Sequence, residues 1–326
     1  MAIIAPGVVH VDTALTNFAI AYMQSADKFI ASKVFPIVRV AKQSDYYFEF
    51  ARDAFLRASA RRRAPGSKAA EKTLSLSKSR YSADVWALEG VVPIETRANA
   101  DPVVNIEQAT IDSVVGDMLI TRENDWVNTF FKTSLWGTDV TGVASAPSSV
   151  QFVQWNDGAN SNPILDVETG RVTIWQNTGM QPNILTVGPL VHSALKRHPL
   201  IVERYKYTSS DSITADMIAR VLEIDQYLVA SSVAATNVEG ATYASAFIAG
   251  KGALLSYAPA TPTIMSASAG ITFAWTGLFD SGSDMGVAVD TRYEAEIMSD
   301  VLRANMAYDQ KLTGSALGYF FASAVA

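Results

Sequence analysis

The residues that could do chemistry are few, and their spacing argues against most of it. The chain has three histidines, His10, His192 and His198, and no cysteine. His192 and His198 stand six apart, whereas ligands sharing a helix face stand three or four apart. Without thiolates or a nearby acidic trio, no zinc site is expected, and both imidazoles read as surface or capping groups. His198 falls near the end of a short helical pattern, where the dipole favours a cation. Gly250-Lys251-Gly252 lacks the remainder of a phosphate-loop signature and reads as a turn or bulge. The nucleophile elbow G-x-S-x-G is absent. Asp166 with Glu168, and Glu223 with Asp225, are two apart, which puts each pair on different helix faces as solvated surface. No catalytic, cofactor-binding or metal-ligating residue is predicted, and the protein is not expected to be an enzyme.

The cations are more informative. The 326 residues carry a net charge of −6, with 49% hydrophobic and 18% charged residues, enough apolar material for a large core. Yet Phe55 to Leu76 gathers Arg57, Arg61, Arg62, Arg63, Lys68 and Lys72 against the single acid Glu71. From Lys42 to Arg80 there are ten cations and four acids, leaving sixteen cations and 28 acids, a charge of −12, for the rest. Three readings follow. The segment neutralises nucleic-acid phosphates; it meets the acidic surface of another copy; or it is a solvated loop. The tip lacks the interleaved aromatics of a single-strand stacking platform, and an identical molecule offers the −12. The six cations are therefore candidate inter-subunit contacts.

These residues need elements to hold them. Residues 1–42 read as an arm, with Leu15, Phe18, Ala19, Tyr22 and Met23 on one face of a short helix. The first cation is Lys28, so no signal peptide is read. No run of 18 apolar residues spans a membrane, and the missing cysteine fits an intracellular folding site. Pro36 makes Val34 to Val40 a strand or strap. In SDYYFEF, Ser44 to Phe50, strand alternation puts Tyr46, Phe48 and Phe50 on one side. YSADVWALEGVV, Tyr81 to Val92, reads as its partner in a long hairpin, with Pro65-Gly66 marking a turn in a loosely ordered tip.

Asp101-Pro102 then caps the clearest helix. Ile111, Val114, Val115, Met118, Leu119, Trp126, Val127 and Phe130 recur at helical spacing to about Leu135, a rod of roughly 50 Å. Trp126, Phe130 and Phe131 are expected to pack it on a sheet. Residues 137–162 read as loops around one strand, Val150 to Trp155. Beyond Pro163 the pattern is helix 164–177, strand 183–187, helix 189–197, helix 213–222 and strand 226–233, with a strand-rich remainder from Ala246. A loop and a rod of these lengths leave surface that a lone chain does not cover.

This order resembles the major capsid proteins of tailed bacteriophages, the Hong Kong 97-type fold, over nearly the whole chain. The resemblance rests on the pair SDYYFEF … YSADVWALE, the helix after ADPVVNIEQATIDSV, the strand-helix unit GMQPNILTVGPLVHSALKRHPLIVERYKY, and the closing YEAEIMSDVLRANMAYDQKLTGSALGYFFASAV. It implies an α+β fold with an N-terminal arm (1–42), an extended β-hairpin loop (43–89), a peripheral domain with a spine helix at about 102–135 (90–162), an axial domain (163–285), and C-terminal strands returning to the peripheral domain (286–326). It implies a structural protein that self-assembles through pentamers and hexamers into an icosahedral head around double-stranded DNA, located in the virion and assembled in the host bacterial cytoplasm. Its partners would be copies of itself, packaged DNA bound non-specifically inside, and separate scaffolding, portal or decoration proteins; no membrane and no cofactor is implied. The short stretch before the hairpin leaves no room for a fused scaffolding segment. Lys68, Lys72 and Lys78 could serve crosslinking, but no Asn partner or acid catalyst is identifiable, and no crosslink is predicted. An encapsulin-type compartment shell shares the fold and stays open as an alternative, as does, outside the family, a nucleic-acid-binding protein using the basic loop.

Overall fold

The computed structural model describes residues 24–50, 56–72, 76–99, 106–205, 213–238, 240–277 and 287–326. The expected arm helix, His10 and the Asp101-Pro102 cap lie outside them. Pro36 separates a one-turn helix, α1 (Ala31–Val34), from the first strand, β1 (Ile37–Val40). A fixed φ and a missing amide make proline suited to such a junction. Next, β2 (Ser44–Phe50) pairs antiparallel with β3 (Leu76–Ser82). The alternation is as read: Tyr47 is buried and Tyr46 exposed. The expected partner strand also breaks in two. At buried Ala83 the amide bonds the Gln43 carbonyl (2.8 Å), and β4 (Asp84–Pro93) departs to a different sheet. The hairpin's second strand is therefore Leu76–Ser82, not Tyr81 to Val92.

After α2 (Ile94–Ala98) comes the rod, α3 (Ile106–Phe130), 25 residues and about 37 Å long. It stops five residues before the expected end. There the Trp136 indole donates to the Phe130 carbonyl (2.8 Å), satisfying one of the acceptors a helix end leaves over. Two strands, β5 (Thr138–Val143) and β6 (Gln151–Val153), stand where one was expected. The helix expected at 164–177 is α4 (Pro163–Thr178). Asn162 accepts the Leu165 amide, proline opens the first turn, and Gly179 closes the helix at φ +75°.

Then follow β7 (Ile184–Val187), α5 (Pro189–Arg197), α6 (Pro199–Tyr205), α7 (Ala215–Val221), β8 (Gln226–Val229), β9 (Val233–Ala235) and β10 (Ser245–Phe247). The chain ends through β11 (Ala253–Ser256), β12 (Gly270–Trp275), β13 (Val287–Glu294), β14 (Ser299–Leu312) and β15 (Gly318–Ala322). The helix α6 had not been read from the sequence; His198-Pro199 starts a second helix instead of ending the unit. Gly250 to Gly252 lie in the bend before β11, as expected of a turn.

Two sheets organise these elements. One is ordered β1-β12-β14-β13, with β4 on the other side of β14; the other is ordered β6-β5-β15-β11-β7-β8. The sheets cross the limits expected at 163 and 285: β5, β6 and β15 lie with the middle strands, and β12 lies with β14. Helix α3 joins the two. Its first half, through Val114, Met118 and Leu119, packs on Ala304, Met306 and Tyr308 of β14. Its second half enters the larger core, where Phe35 meets Trp126 and Phe130 (centroids 5.8 and 4.8 Å apart), and Phe131 meets Phe320 edge-on at 5.2 Å. Trp126, Phe130 and Phe131 thus pack the rod on the sheet as expected. Gly90 explains how closely the rod lies on β4, because a Cβ there would come within 2.4 Å of the Thr110 methyl.

Candidate subunit-contact surface

The hairpin has a root and a reach. Tyr47 and Tyr81 turn inward from β2 and β3 onto Phe273 of β12, together with Val38, Val40 and Ile271. The Ser82 amide donates to Asp309 on β14 (2.8 Å). A two-stranded ribbon alone is marginal in water; this one is held by aromatic contact with its own body. Leu56 returns to that body at a groove of about 1020 Å³, which it lines with Tyr47, Met180, Ile264 and Met265. Among the described residues, Tyr47 is the one titratable side chain lining the groove.

Residues 57–72 then leave the body. Pro65-Gly66 makes the expected turn, with Gly66 at φ +80° and the Ser67 amide bonded to the Ala64 carbonyl (3.1 Å). Arg57, Arg61, Arg62, Arg63, Lys68 and Lys72 are all exposed. Lys68 pairs with Glu71, an exposed contact that holds little of the loop's shape. The structure brings all six candidates onto one exposed segment.

Among the histidines and carboxylates, Glu168, Glu223 and Asp225 are exposed as read, and His198 takes a capping role. His198 is buried, not at the surface. Its Nδ1 accepts the Leu200 amide (3.3 Å), and Ser161 Oγ lies 3.0 Å from Nε2. The ring caps α6 as a neutral imidazole, and burial holds its pKa below the usual histidine value, against a weaker pull upward from Asp157. The cations at the α5 terminus are therefore Lys196 and Arg197 rather than this ring. His192 Nδ1 meets the Tyr227 hydroxyl at 3.0 Å. Asp166 is not solvated surface: it accepts the Trp155 indole (2.9 Å), and burial pushes its carboxyl upward. Glu223 pairs with Arg171 at 2.8 Å. Among the described residues no group of three His, Asp or Glu could hold a metal ion, and no helix is long and apolar enough to cross a membrane.

One residue went unread. Glu123, 1% exposed, accepts the amides of Ile30 (3.1 Å) and Ala31 (2.9 Å), so α3 caps the first turn of α1. Burial pushes this carboxyl upward, opposed by those amides and by the neighbouring Arg122, itself buried. Nearby, the Tyr308 hydroxyl donates to Asp125 (2.9 Å). The signal was available: Glu123 falls four after Leu119 and three before Trp126, inside the buried stripe. An acid at a core position of a helix implies a buried partner.

No family model matches the chain. It is 23% identical over 252 residues to the major capsid protein of Burkholderia phage BcepMu, covering 73% of this chain and 76% of that one. Among solved structures, a phage-related protein from Bordetella bronchiseptica RB50 matches with a TM-score of 0.70 at 26% identity, over 96% of this chain and 97% of the other. The capsid of cyanophage P-SCSP1u matches at TM-score 0.58 and 9% identity (89% and 86% covered). The SrpI encapsulin of Synechococcus elongatus PCC 7942 matches at 0.54 and 9% (96% and 95% covered). A sheet-spanning rod, a rooted hairpin with an exposed basic loop, and these likenesses agree: the chain has the Hong Kong 97-type capsid fold and resembles bacteriophage major capsid proteins, which are structural proteins rather than enzymes.

Proposed function

We propose that copies of this chain assemble through pentamers and hexamers into a closed icosahedral phage head around double-stranded DNA, with loop 57–72 of each copy lying on a neighbour. The observation that supports this most is the loop itself. Five of its cations, Arg61, Arg62, Arg63, Lys68 and Lys72, stand exposed on a segment rooted by its own strands yet uncovered by its own body. Repetition by symmetry lets modest contacts sum to a stable shell. In this reading the β4-β14-β13 sheet and the first half of α3 serve as the peripheral domain, and the helices around β7 and β11 as the axial one.

Electron microscopy of the expressed protein tests it. Closed shells, tubes or ring-shaped capsomers are expected; a monodisperse monomer at every concentration overturns it. Replacing Arg61, Arg62 and Arg63 by Ala should disturb assembly. Loss of salt-sensitive DNA binding by a monomer would favour a nucleic-acid arm instead. The likeness to the SrpI encapsulin favours a second reading, a compartment shell around protein cargo. Nuclease-protected DNA inside purified particles selects the phage head, and co-purifying protein selects the compartment.

A further inference from the structure

Helix α4 is buried on one side and bare on the other. Val167, Gly170 and Ile174 face the sheet, and a Cβ at Gly170 would sit 3.3 Å from both Leu255 and Tyr319. The opposite side carries Leu165, Glu168, Val172 and Trp175, at intervals of three, four and three. That is the spacing of a seam built to meet another chain. Leu165, Val172 and Trp175 are 54%, 51% and 52% exposed. At the start of this stripe a groove of about 450 Å³ opens between α4 and α6, lined by Leu165, Leu200, Glu168, Glu203 and Arg204 among others. Both carboxylates are exposed.

The stripe combines apolar surface for a side-chain stem, carboxylates for a charged head and an indole face. Together these match arginine: a guanidinium pairs with carboxylates, stacks on tryptophan, and lays its methylenes on leucine. The one segment of this chain rich in such side chains is loop 57–72, with six cations and one acid. Residues 60–72 are all exposed in their own molecule, as are Leu165, Val172 and Trp175, so neither surface is packed away there. We propose that the α4 stripe, with Glu168 and Glu203 beside it, seats the basic loop of a second copy. The inference rests on the shell-building reading and names the surface that receives the loop.

A charge exchange tests it on the full chain. The pair Glu168→Lys with Glu203→Lys should lower shell yield at least tenfold, as should Arg61→Glu, Arg62→Glu and Arg63→Glu together. Combining both sets should restore shells. A photoreactive benzoylphenylalanine replacing Trp175, with all charges left native, should crosslink to residues 57–72. Mixing light and heavy isotope-labelled copies should show that the link joins two chains. Shells unaffected by the lysine pair, no restoration by the combined set, or a crosslink from position 175 to any other segment would each overturn the seat. The shell-building reading would survive those results provided the loop variants alone still abolish shells. If the unaltered protein forms no shell, that reading falls instead.

Discussion

The Tyr81 ring lies flat against the Phe273 ring, 4.5 Å between centroids and 12° from parallel. This one contact decides where the hairpin stops being body and becomes reach. Tyr81 is 4% exposed, and its hydroxyl makes only a 3.3 Å contact with the Lys42 carbonyl. Tyr81→Phe should therefore be nearly neutral. Tyr81→Ala removes a buried ring and should lower stability by about 3 kcal/mol. Urea unfolding measures the loss. Limited proteolysis should show cleavage spreading from the 57–72 segment into β2 and β3, because the ribbon then lacks its anchor. A variant as protease-resistant as the parent would show that Tyr47 alone secures the root.

What the sequence made legible follows from where its signals were local. The α4 helix was legible from the pattern beyond Pro163, and the turn from Pro65-Gly66, because both signals act on neighbouring backbone. The buried stripe of α3 was readable because helical spacing survives whatever it packs against. The partner of β2 was not. YSADVWALEGVV is continuous in strand character, and only the distant strand β14 decides that Asp84 onward belongs elsewhere. The buried face of β2 was not legible for a related reason: alternation marks two faces, but Phe273, more than 220 residues away, chooses which is inside. The basic loop was visible from charge alone. Its proposed seat was not, since the exposure of Leu165, Val172 and Trp175 depends on which side of α4 meets the sheet.

Glu123 joins the end of the arm to the rod, and replacing it separates two contributions. Glu123→Ala leaves the amides of Ile30 and Ala31 without an acceptor in a buried place, which should lower stability by about 3 kcal/mol. Glu123→Gln retains one acceptor oxygen and should lose less. The pH dependence distinguishes charge from hydrogen bonding. Burial raises this carboxyl above its ordinary 4.5 in the folded chain, so the fold binds the proton more readily than the unfolded chain does. Its contribution is fully present below about 4.5 and is lost as pH rises through the folded value. The stability difference between parent and Glu123→Gln should therefore shift against the parent as pH rises from 4.5, read from chemical denaturation across that range. A constant difference would mean that Arg122 cancels the burial.

His198 has the opposite sign. Its folded pKa lies below the ordinary 6.5 because the neutral ring is buried and its Nδ1 is occupied by the Leu200 amide. The unfolded chain then binds the proton more readily, so the contribution is present above 6.5 and is lost as pH falls through the folded value. Melting temperature should fall on acidification below 6.5. Replacing His198 by Asn, a neutral acceptor, should flatten that part of the profile while lowering stability at pH 8. A profile unchanged by the substitution would assign the acid sensitivity to other groups.

Gly270 shows how the arm-proximal helix is pressed into the body. A Cβ at this position would lie 2.3 to 2.5 Å from three atoms of the Phe35 ring. That ring is fully buried between Trp126, Phe130 and Trp136, so it has nowhere to move without shifting the core that joins both halves of the molecule. Overpacking of this kind typically costs about 1–3 kcal/mol, and the rigid surroundings place Gly270→Ala at the upper end. Phe35→Leu opens space beside the same site and by itself should destabilise the chain. Combined with Gly270→Ala, it should recover part of the loss, so the two changes should be non-additive by about 1 kcal/mol or more in a double-mutant cycle. Strict additivity would mean that strand β12 moves aside to admit the methyl group while the ring stays where it is.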